Sequence, residues 1–150
     1  MDFGKRISIE AVEEGSEFMP KFDKQGLIPV ITMEEGSNLV LMHGYLNKEA
    51  LTLSVETKQA HYWSRSRNQL WKKGETSGLY QNIKEILVDD DQDCMIFKVE
   101  VEGTGASCHV GYKSCFYRSV ENLKDLKFVE EEKIFDPEEV YEGQENPTKL

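Results

Sequence analysis

Two groups of potential metal ligands lie close together in the middle of the chain. Cys108 and Cys115 enclose His109 in a short polar segment, and an acidic run at residues 89–93 precedes them. Thiolates and imidazole favour zinc, whereas clustered carboxylates favour magnesium or calcium. A region that supplies both kinds of donor is typical of a reaction centre, and we expect two different metals there.

The cysteine pair alone is a weak signal for zinc. Two isolated cysteines are more often buried small hydrophobic residues than metal ligands. The polar, glycine-containing segment between Cys108 and Cys115 weakens that interpretation. A third ligand from Cys94 or Asp90 would leave the fourth position open to water, which is the arrangement of a catalytic zinc. Such a water ionises near neutral pH and becomes a nucleophile.

The acidic run partly imitates the calcium loop of an EF-hand, but the imitation fails. That loop needs a glycine where this chain has Cys94, and residues 95–101 alternate like a strand rather than forming a helix. If the run is extended, Asp89, Asp91 and Asp93 share one side and could hold magnesium, while the residues between them face the other side. A solvated acidic turn is an equally simple alternative.

A basic and aromatic segment at residues 57–78 contains arginines, lysines, hydroxyl side chains and glycines. Arginine binds phosphate oxygens through two N–H groups, and glycine lets backbone amides approach them. The segment therefore predicts a site for a phosphorylated ligand. An exposed strand and loop with Trp63 and Trp71 in the core would explain the same residues equally well. His43 is predicted to be structural rather than catalytic.

The composition limits the class of protein. The chain has 150 residues, is 39% hydrophobic and carries a net charge of −10, which predicts one domain and disfavours nucleic-acid binding, because an acidic chain repels phosphate. No apolar run approaches the roughly 20 residues that cross a bilayer, and residues 1–20 lack the order of a secretory signal. We therefore expect a cytoplasmic protein without a membrane partner. Three cysteines without a Cys-x-x-Cys pair favour reduced thiols over a disulfide scaffold.

The predicted elements form a single α+β domain that is β-rich, with a mainly antiparallel sheet and few helices. Apolar runs at 27–33 and 39–45 predict a hairpin. Asn47 predicts the N-cap of a helix over 48–57, with an apolar face formed by Leu46, Ala50, Leu51 and Val55. The other predicted elements are strands at 60–64, 80–88, 95–101 and 115–120, the last of them in the core, a surface loop at 66–78, and a helix or loose tail at 130–144.

At these motifs the chain resembles the phosphoribosyl-AMP cyclohydrolases, hydrolases of histidine biosynthesis that open the adenine ring of their substrate. The resemblance covers residues 26–118 and depends on GLIPV (26–30), YWSRSR (62–67), LWKKGETSG (70–78), VDDDQD (88–93) and CHVGYKSCFYR (108–118). It implies a family domain at 26–120, between an acidic N-terminal segment at 1–25 and an acidic C-terminal extension at 121–150.

The resemblance also implies the metal ligands. Magnesium would be bound by Asp89, Asp91 and Asp93, and zinc by Cys108 and Cys115. The family's third zinc ligand is usually a cysteine at the position that Asp90 occupies here. Either Asp90 coordinates zinc through oxygen, or Cys94 reaches the ion through a bend in the chain. We favour Cys94, because three thiolates suit zinc better.

The implied reaction is attack of an activated water on C6 of the N1-substituted adenine, followed by cleavage of the N1–C6 bond. His109 is the candidate for proton transfer, since it neighbours a zinc ligand and titrates near neutrality. Residues expected to hold the substrate's phosphates are Arg65, Arg67, Lys72, Lys73, Thr76 and Ser77. Leu79 stands where the family commonly has histidine or asparagine, so a polar contact is absent or supplied elsewhere. The family is dimeric with shared zinc ligands, which implies a homodimer.

Two rival functions belong to other classes. A structural metal-binding domain would hold zinc without turnover, and a zinc deaminase acting on another nucleotide would release ammonia. The deaminase is disfavoured, because the chain lacks a His-x-Glu followed by Cys-x-x-Cys. The segment after Arg118 is too short for the pyrophosphohydrolase that is fused to some family members, so we expect a separate protein to supply the substrate.

Overall fold

The computed structural model describes residues 2–150, in which strands outnumber helices. In chain order the elements are α1 (Ile9–Glu14), β1 (Ile28–Glu34), β2 (Val40–Leu46), α2 (Lys48–Thr57), β3 (His61–Ser64), β4 (Gln69–Lys72), β5 (Gln81–Val88), β6 (Met95–Val101), β7 (Arg118–Val120), β8 (Leu126–Phe128) and α3 (Pro137–Val140). Within these residues no helix combines the length and the apolar character that crossing a membrane requires.

The central sheet has the strand order β2-β1-β6-β5. The predicted hairpin is confirmed, because β1 and β2 pair antiparallel with Ile28 opposite Leu46. On its other side β1 runs parallel to β6, with Val30 opposite Met95, and β6 pairs antiparallel with β5. The β-rich, mainly antiparallel α+β fold is thus confirmed, with one parallel pair at the centre of the sheet.

The core lies on one face of this sheet. Met95, Phe97 and Val99 of β6 are at most 1% exposed, as their alternation in the sequence predicts. Val30 of β1 and Leu41 of β2 are also fully buried. The two central strands, β1 and β6, therefore direct alternate side chains into a shared layer.

Helix α2 covers this layer and begins where the sequence predicts. Asn47 caps it by accepting a hydrogen bond from the backbone N–H of Ala50 at 2.8 Å. The prediction that Val55 faces the core is wrong, because its side chain is exposed and Ser54 is buried instead. Residues three and four apart share a helix face, so Ser54 rather than Val55 continues the face of Ala50 and Leu51.

The segment predicted as a loop at 66–78 contains a strand. β4 pairs with β3, and this places Trp71 opposite Tyr62 with their ring centroids 5.3 Å apart. The loop prediction is wrong for residues 69–72, because Leu70 and Trp71 pack against the core. A polar, glycine-bounded segment can therefore still contribute a short strand when two of its residues are apolar.

The predicted core strand at 115–120 is also wrong. Only Arg118–Val120 is a strand, and it pairs with β8 in a separate two-stranded sheet. Val120 is 77% exposed, so this small hairpin lies outside the core. Farther along, residues 130–144 contain only the four-residue helix α3, which Asp136 caps.

Candidate active site

Six of the predicted site residues line one pocket of about 820 Å³. The pocket lies between β2, the segment around β4, the loop that carries the cysteines, and the C-terminal strap, by which we mean residues 130–147. The predicted residues in its lining are Arg67, Lys73, Thr76, Ser77, His109 and Cys115. Side chains proposed for phosphate binding and for zinc binding therefore meet at one cavity.

Two of the predicted phosphate-binding residues do not line this pocket. The Arg65 guanidinium lies over the ring of Tyr45, 3.9 Å from its centroid. The Lys72 ammonium lies 5.1 Å from the centroid of the Tyr80 ring. His43, which the sequence analysis treats as structural, is instead exposed and part of the pocket lining.

The loop that carries the cysteines is fastened to the start of β2. The backbone N–H of Cys115 donates to the carbonyl of Leu41 at 2.7 Å, and the hydroxyl of Ser114 donates to the carbonyl of Val40 at 2.6 Å. The N–H of Ser107 donates to the carbonyl of Lys113 at 2.9 Å, which closes the loop on itself. The positions of the thiols are therefore set by the edge of the main sheet.

The C-terminal strap fixes the same loop from outside. The carboxylate of Glu130 accepts from the backbone N–H groups of Lys113 and Ser114, each at 3.0 Å. Gly111 has a φ of +108°, and a Cβ at this position would lie 2.5 Å from the carbonyl oxygen of Phe135. Only glycine allows the strap to pack this closely on the loop.

The two thiols form a hydrogen-bonded pair. Cys115 donates to the sulfur of Cys108, and this bond, together with backbone N–H groups and the nearby charge of Lys73, lowers the pKa of Cys108 to about 6. The same bond raises the pKa of Cys115. One thiol is thus already ionised at neutral pH, and the pair is a soft donor set of the kind that zinc prefers.

Lys73 is a buried cation beside this pair. Its ammonium donates to the carbonyl of Ser107 at 2.8 Å, and its side chain is 6% exposed. Burial lowers the pKa of Lys73, while the two thiols act in the opposite direction. The chain can turn after Lys73 because Gly74 has a φ of +100° and lies too close to the backbone of Tyr80 for any side chain.

His109 lies between the thiols and the strap. Its Nε2 atom is buried and has no hydrogen-bond partner among residues 2–150. Burial and the charge of Lys73 lower the pKa of His109, against a hydrogen bond donated to Asn146 that raises it. The ring is therefore neutral at pH 7 and has a free nitrogen available for a ligand.

The strap supplies site residues that the sequence analysis missed. The hydroxyl of Ser77 lowers the pKa of Tyr141, against the burial that raises it, and Asn146 raises the pKa of His109. Tyr141 and Asn146 both belong to the pocket lining. The strap has neither helical nor strand periodicity. The only signal in its sequence was an aromatic residue, Tyr141, in an otherwise acidic segment.

The aspartates occupy a tight turn between β5 and β6 rather than an extended strand. One carboxylate oxygen of Asp89 accepts from the backbone N–H groups of Asp93 at 2.9 Å and Cys94 at 3.0 Å. Gln92 has a φ of +57°, which reverses the chain. The expectation of side chains on alternating sides is therefore wrong, because the turn has no strand geometry.

The turn nevertheless crowds the carboxylates together. Ligand oxygens of Asp89, Asp90 and Asp91 can approach within 4.8 Å of one another. The carboxylates of Asp91 and Asp89 raise the pKa of Asp93 to about 6, since like charges disfavour its ionisation. This excess of hard, negatively charged oxygens suits a divalent cation such as magnesium.

A single subunit does not bring the aspartate turn and the cysteine pair together. The turn precedes Met95, which pairs with Val30, whereas Cys115 is bonded to Leu41 near the opposite end of β1 and β2. From the strand rise and spacing, Cys94 lies roughly 15 Å or more from Cys115. Ligands of one zinc ion lie within about 4 Å of each other, a separation that this estimate exceeds for Cys94 and Cys115.

Comparison with known proteins identifies the family. The family model described as phosphoribosyl-AMP cyclohydrolase matches residues 42–117, which contain the aspartate turn, Cys108 and Cys115. A phosphoribosyl-AMP cyclohydrolase of Rhizobium etli is 48% identical over 134 residues, covering 87% of this chain and 89% of the relative. Proteins of the same name from Methanoregula boonei and Brucella canis are 52% and 54% identical, covering 81% and 74% of this chain and 93% and 80% of those relatives. The chain belongs to the phosphoribosyl-AMP cyclohydrolase family.

Proposed function

We propose that this enzyme hydrolyses the N1–C6 bond of the adenine ring in phosphoribosyl-AMP, as a step of histidine biosynthesis. Water adds its oxygen to C6 and its proton to N1, and the ring opens to a formimino-carboxamide ribotide. The observation that carries the proposal is the pocket in which Cys115 and His109 line one cavity with basic and hydroxyl side chains suited to a phosphorylated nucleotide. The family membership supports the choice of substrate.

The basic side chains of the pocket bind the anionic substrate. Arg67 is the lining residue that can hold phosphate oxygens through two N–H groups. Thr76 and Ser77 add hydroxyl donors at the mouth of the turn after β4. Arg65 and Lys72, outside this lining, remain candidates for the second phosphate group of the substrate.

Zinc and magnesium are the proposed cofactors. Cys108 and Cys115 would hold zinc, and Asp89, Asp91 and Asp93 would hold magnesium. When zinc is bound with an open coordination position, it supplies a water that ionises near neutral pH. Magnesium held by these aspartates would supply positive charge beside the substrate phosphates, which the acidic chain would otherwise repel.

His109 moves the proton in this proposal. A neutral imidazole can accept a proton from the attacking water and return it to N1 as the ring opens. Its buried Nε2 lacks a partner among the described residues, as expected for an atom whose partner is the substrate or its water. The strap, through Tyr141 and Asn146, would restrict the access of bulk water to the same region.

We propose that the active site is completed by a second copy of the chain. Among residues 2–150 of one subunit, no Cys, His, Asp or Glu is grouped with the two cysteines as a third ligand, and of the aspartates only Asp91 lines a cavity, a separate one of about 360 Å³ without the basic and hydroxyl residues of the main pocket. In a homodimer with twofold symmetry, the turn of one subunit can approach the pocket of the other. Asp90 or Cys94 of that turn would then be the third zinc ligand. We also place the enzyme in the cytoplasm, since its free thiols need a reducing compartment.

The function is tested by incubating the zinc- and magnesium-loaded protein with phosphoribosyl-AMP. We expect the ring-opened product without release of ammonia, and loss of both activity and zinc in Cys115→Ser. Cys94→Ala and Asp90→Ala, each assayed for turnover and zinc content, identify the third ligand. Release of ammonia would show a deaminase, and tight zinc binding without turnover would show a structural metal domain.

A further inference from the structure

The aspartate turn is supported by a segment that lies outside the residues matched by the family model. We call residues 2–25 the N-terminal arm. The arm contains α1, and its phenylalanines Phe3, Phe18 and Phe22 pack against the core. Phe3 meets Phe18 edge to face, with ring centroids 5.5 Å apart. The arm is therefore a packed part of the domain.

One side chain of the turn, Gln92, carries most of the contact with the arm. It is 5% exposed. Its amide oxygen accepts from the backbone N–H of Met19 at 2.7 Å, and its amide nitrogen donates to the carbonyls of Val12 at 2.9 Å and Glu17 at 3.3 Å. Its own carbonyl accepts from the N–H of Lys21 at 2.7 Å. The arm thus folds around Gln92 and satisfies its polar atoms.

Arg6 forms a second connection between the arm and the turn. One guanidinium nitrogen donates to the carbonyl of Met19 at 2.6 Å, and the other donates to the carbonyl of Asp91 at 2.9 Å. The same arginine therefore holds both the arm segment that meets Gln92 and the backbone of a predicted magnesium ligand. Both contacts involve main-chain atoms, so they fix the path of the turn.

We propose that Gln92 and Arg6 are positioning residues that hold the carboxylates of Asp89, Asp91 and Asp93 in a geometry ready for a divalent cation. The inference rests on the proposed function of this turn. A turn with three like charges tends to spread apart. The left-handed conformation of Gln92 (φ +57°) keeps it closed only while its side chain stays anchored in the arm. The arm therefore acts on the reaction through the positions of the carboxylates.

The test uses the full chain with Arg6→Met and, as a matched control, Lys5→Met. Both changes remove one positive charge, but Lys5 is exposed and has no hydrogen bond or ion pair among residues 2–150. Calorimetric titration of metal-stripped protein with Mg²⁺ should show affinity lowered about 10-fold to 100-fold in Arg6→Met, the effect usual for a residue that orients metal ligands. Amide hydrogen exchange at residues 89–94 should be faster, and excess Mg²⁺ should restore turnover. Gln92→Met should act in the same direction.

The inference would be overturned if the wild type binds Mg²⁺ and both Arg6→Met and Gln92→Met leave the Mg²⁺ affinity and the amide hydrogen exchange unchanged. The proposed function would remain intact in that case. An equal loss of affinity in Lys5→Met would also overturn it, because the effect would then come from net charge. A wild-type protein that does not bind Mg²⁺ would contradict the proposed metal role and this inference together.

Discussion

A buried network of hydrogen bonds beneath the loop that carries the cysteines predicts a large effect for one substitution, Gln81→Met. Gln81 is fully buried; it accepts from the hydroxyl of Tyr62 at 2.5 Å and donates to the hydroxyl of Ser107 at 3.2 Å. Methionine fills similar space without these groups. The hydroxyl of Tyr62 keeps a hydrogen bond with Thr32 at 2.7 Å. The hydroxyl of Ser107, which is 2% exposed, loses its one side-chain hydrogen bond within residues 2–150.

The magnitude follows from these contacts. With about 1 kcal/mol for the lost hydrogen bond with Tyr62 and about 1–3 kcal/mol for the stranded hydroxyl of Ser107, the free energy of unfolding should fall by roughly 2–4 kcal/mol. For a domain of this length the Tm should fall by roughly 10 °C. Because Ser107 precedes Cys108, zinc affinity should also decrease in Gln81→Met.

The assay is urea denaturation of the metal-stripped protein, followed by zinc titration at a temperature where both proteins are folded. The matched control is Asn82→Ala on the same strand. Asn82 also has two side-chain hydrogen bonds, with Gln59 and Glu102, each at 3.2 Å, but solvent can replace them. We expect a loss of about 0.5–1 kcal/mol for the control. If Gln81→Met costs no more than Asn82→Ala, the buried network does not support the cysteine loop as argued.

Three further predictions concern the helix cap, the aspartate turn and the zinc ligands. Asn47→Ala should lower the free energy of unfolding by about 1 kcal/mol in urea denaturation, since the N–H of Ala50 loses its cap. The pKa of Asp93 is about 6 in the folded protein and 3.8 in the unfolded chain, so between these values only the folded state keeps the proton. The stability of the metal-free protein should therefore fall as pH rises from about 4 to about 6. Asp93→Asn should flatten this slope in a pH series of thermal melts. Zinc binding at pH 7.5 should release one proton from Cys115 and none from Cys108, whose pKa is already about 6. If Cys94 is the third ligand, its raised pKa makes the wild type release about one proton more than Cys94→Ala in calorimetry across buffers; equal release would favour Asp90.

The sequence predicted those elements whose signals are local. Asn47 and the residues after it determine α2, and the apolar runs around a polar turn determine the β1–β2 hairpin. The prediction for Val55 failed because the packing of α2 against the sheet decides which side of the helix is buried. That side contains Ser54 rather than Val55. The strand predicted at 115–120 failed because Cys115 makes a single backbone hydrogen bond to Leu41 of β2, and only Arg118–Val120 continues as a strand, paired with β8.

The candidate site was predictable in its chemistry but only partly in its geometry. Motif residues such as Arg67 and Cys115 meet in the pocket because β2, β4 and the cysteine loop are neighbours. Tyr141 could not be placed from sequence, since it reaches Ser77 through a strap held by the contact of Gly111 with Phe135. The third zinc ligand could not be chosen either, because one subunit separates the turn from the thiols.

Subunit complementation tests most directly the central claim, that thiols from one chain and carboxylates from another form one active site. Cys115→Ser and Asp91→Ala should each be inactive alone. When the two variants are refolded together in equal amounts, half of the twofold dimers contain one intact site, so turnover of phosphoribosyl-AMP should recover to about a quarter of the wild-type value. Mixed dimers that form but remain without activity would contradict the claim.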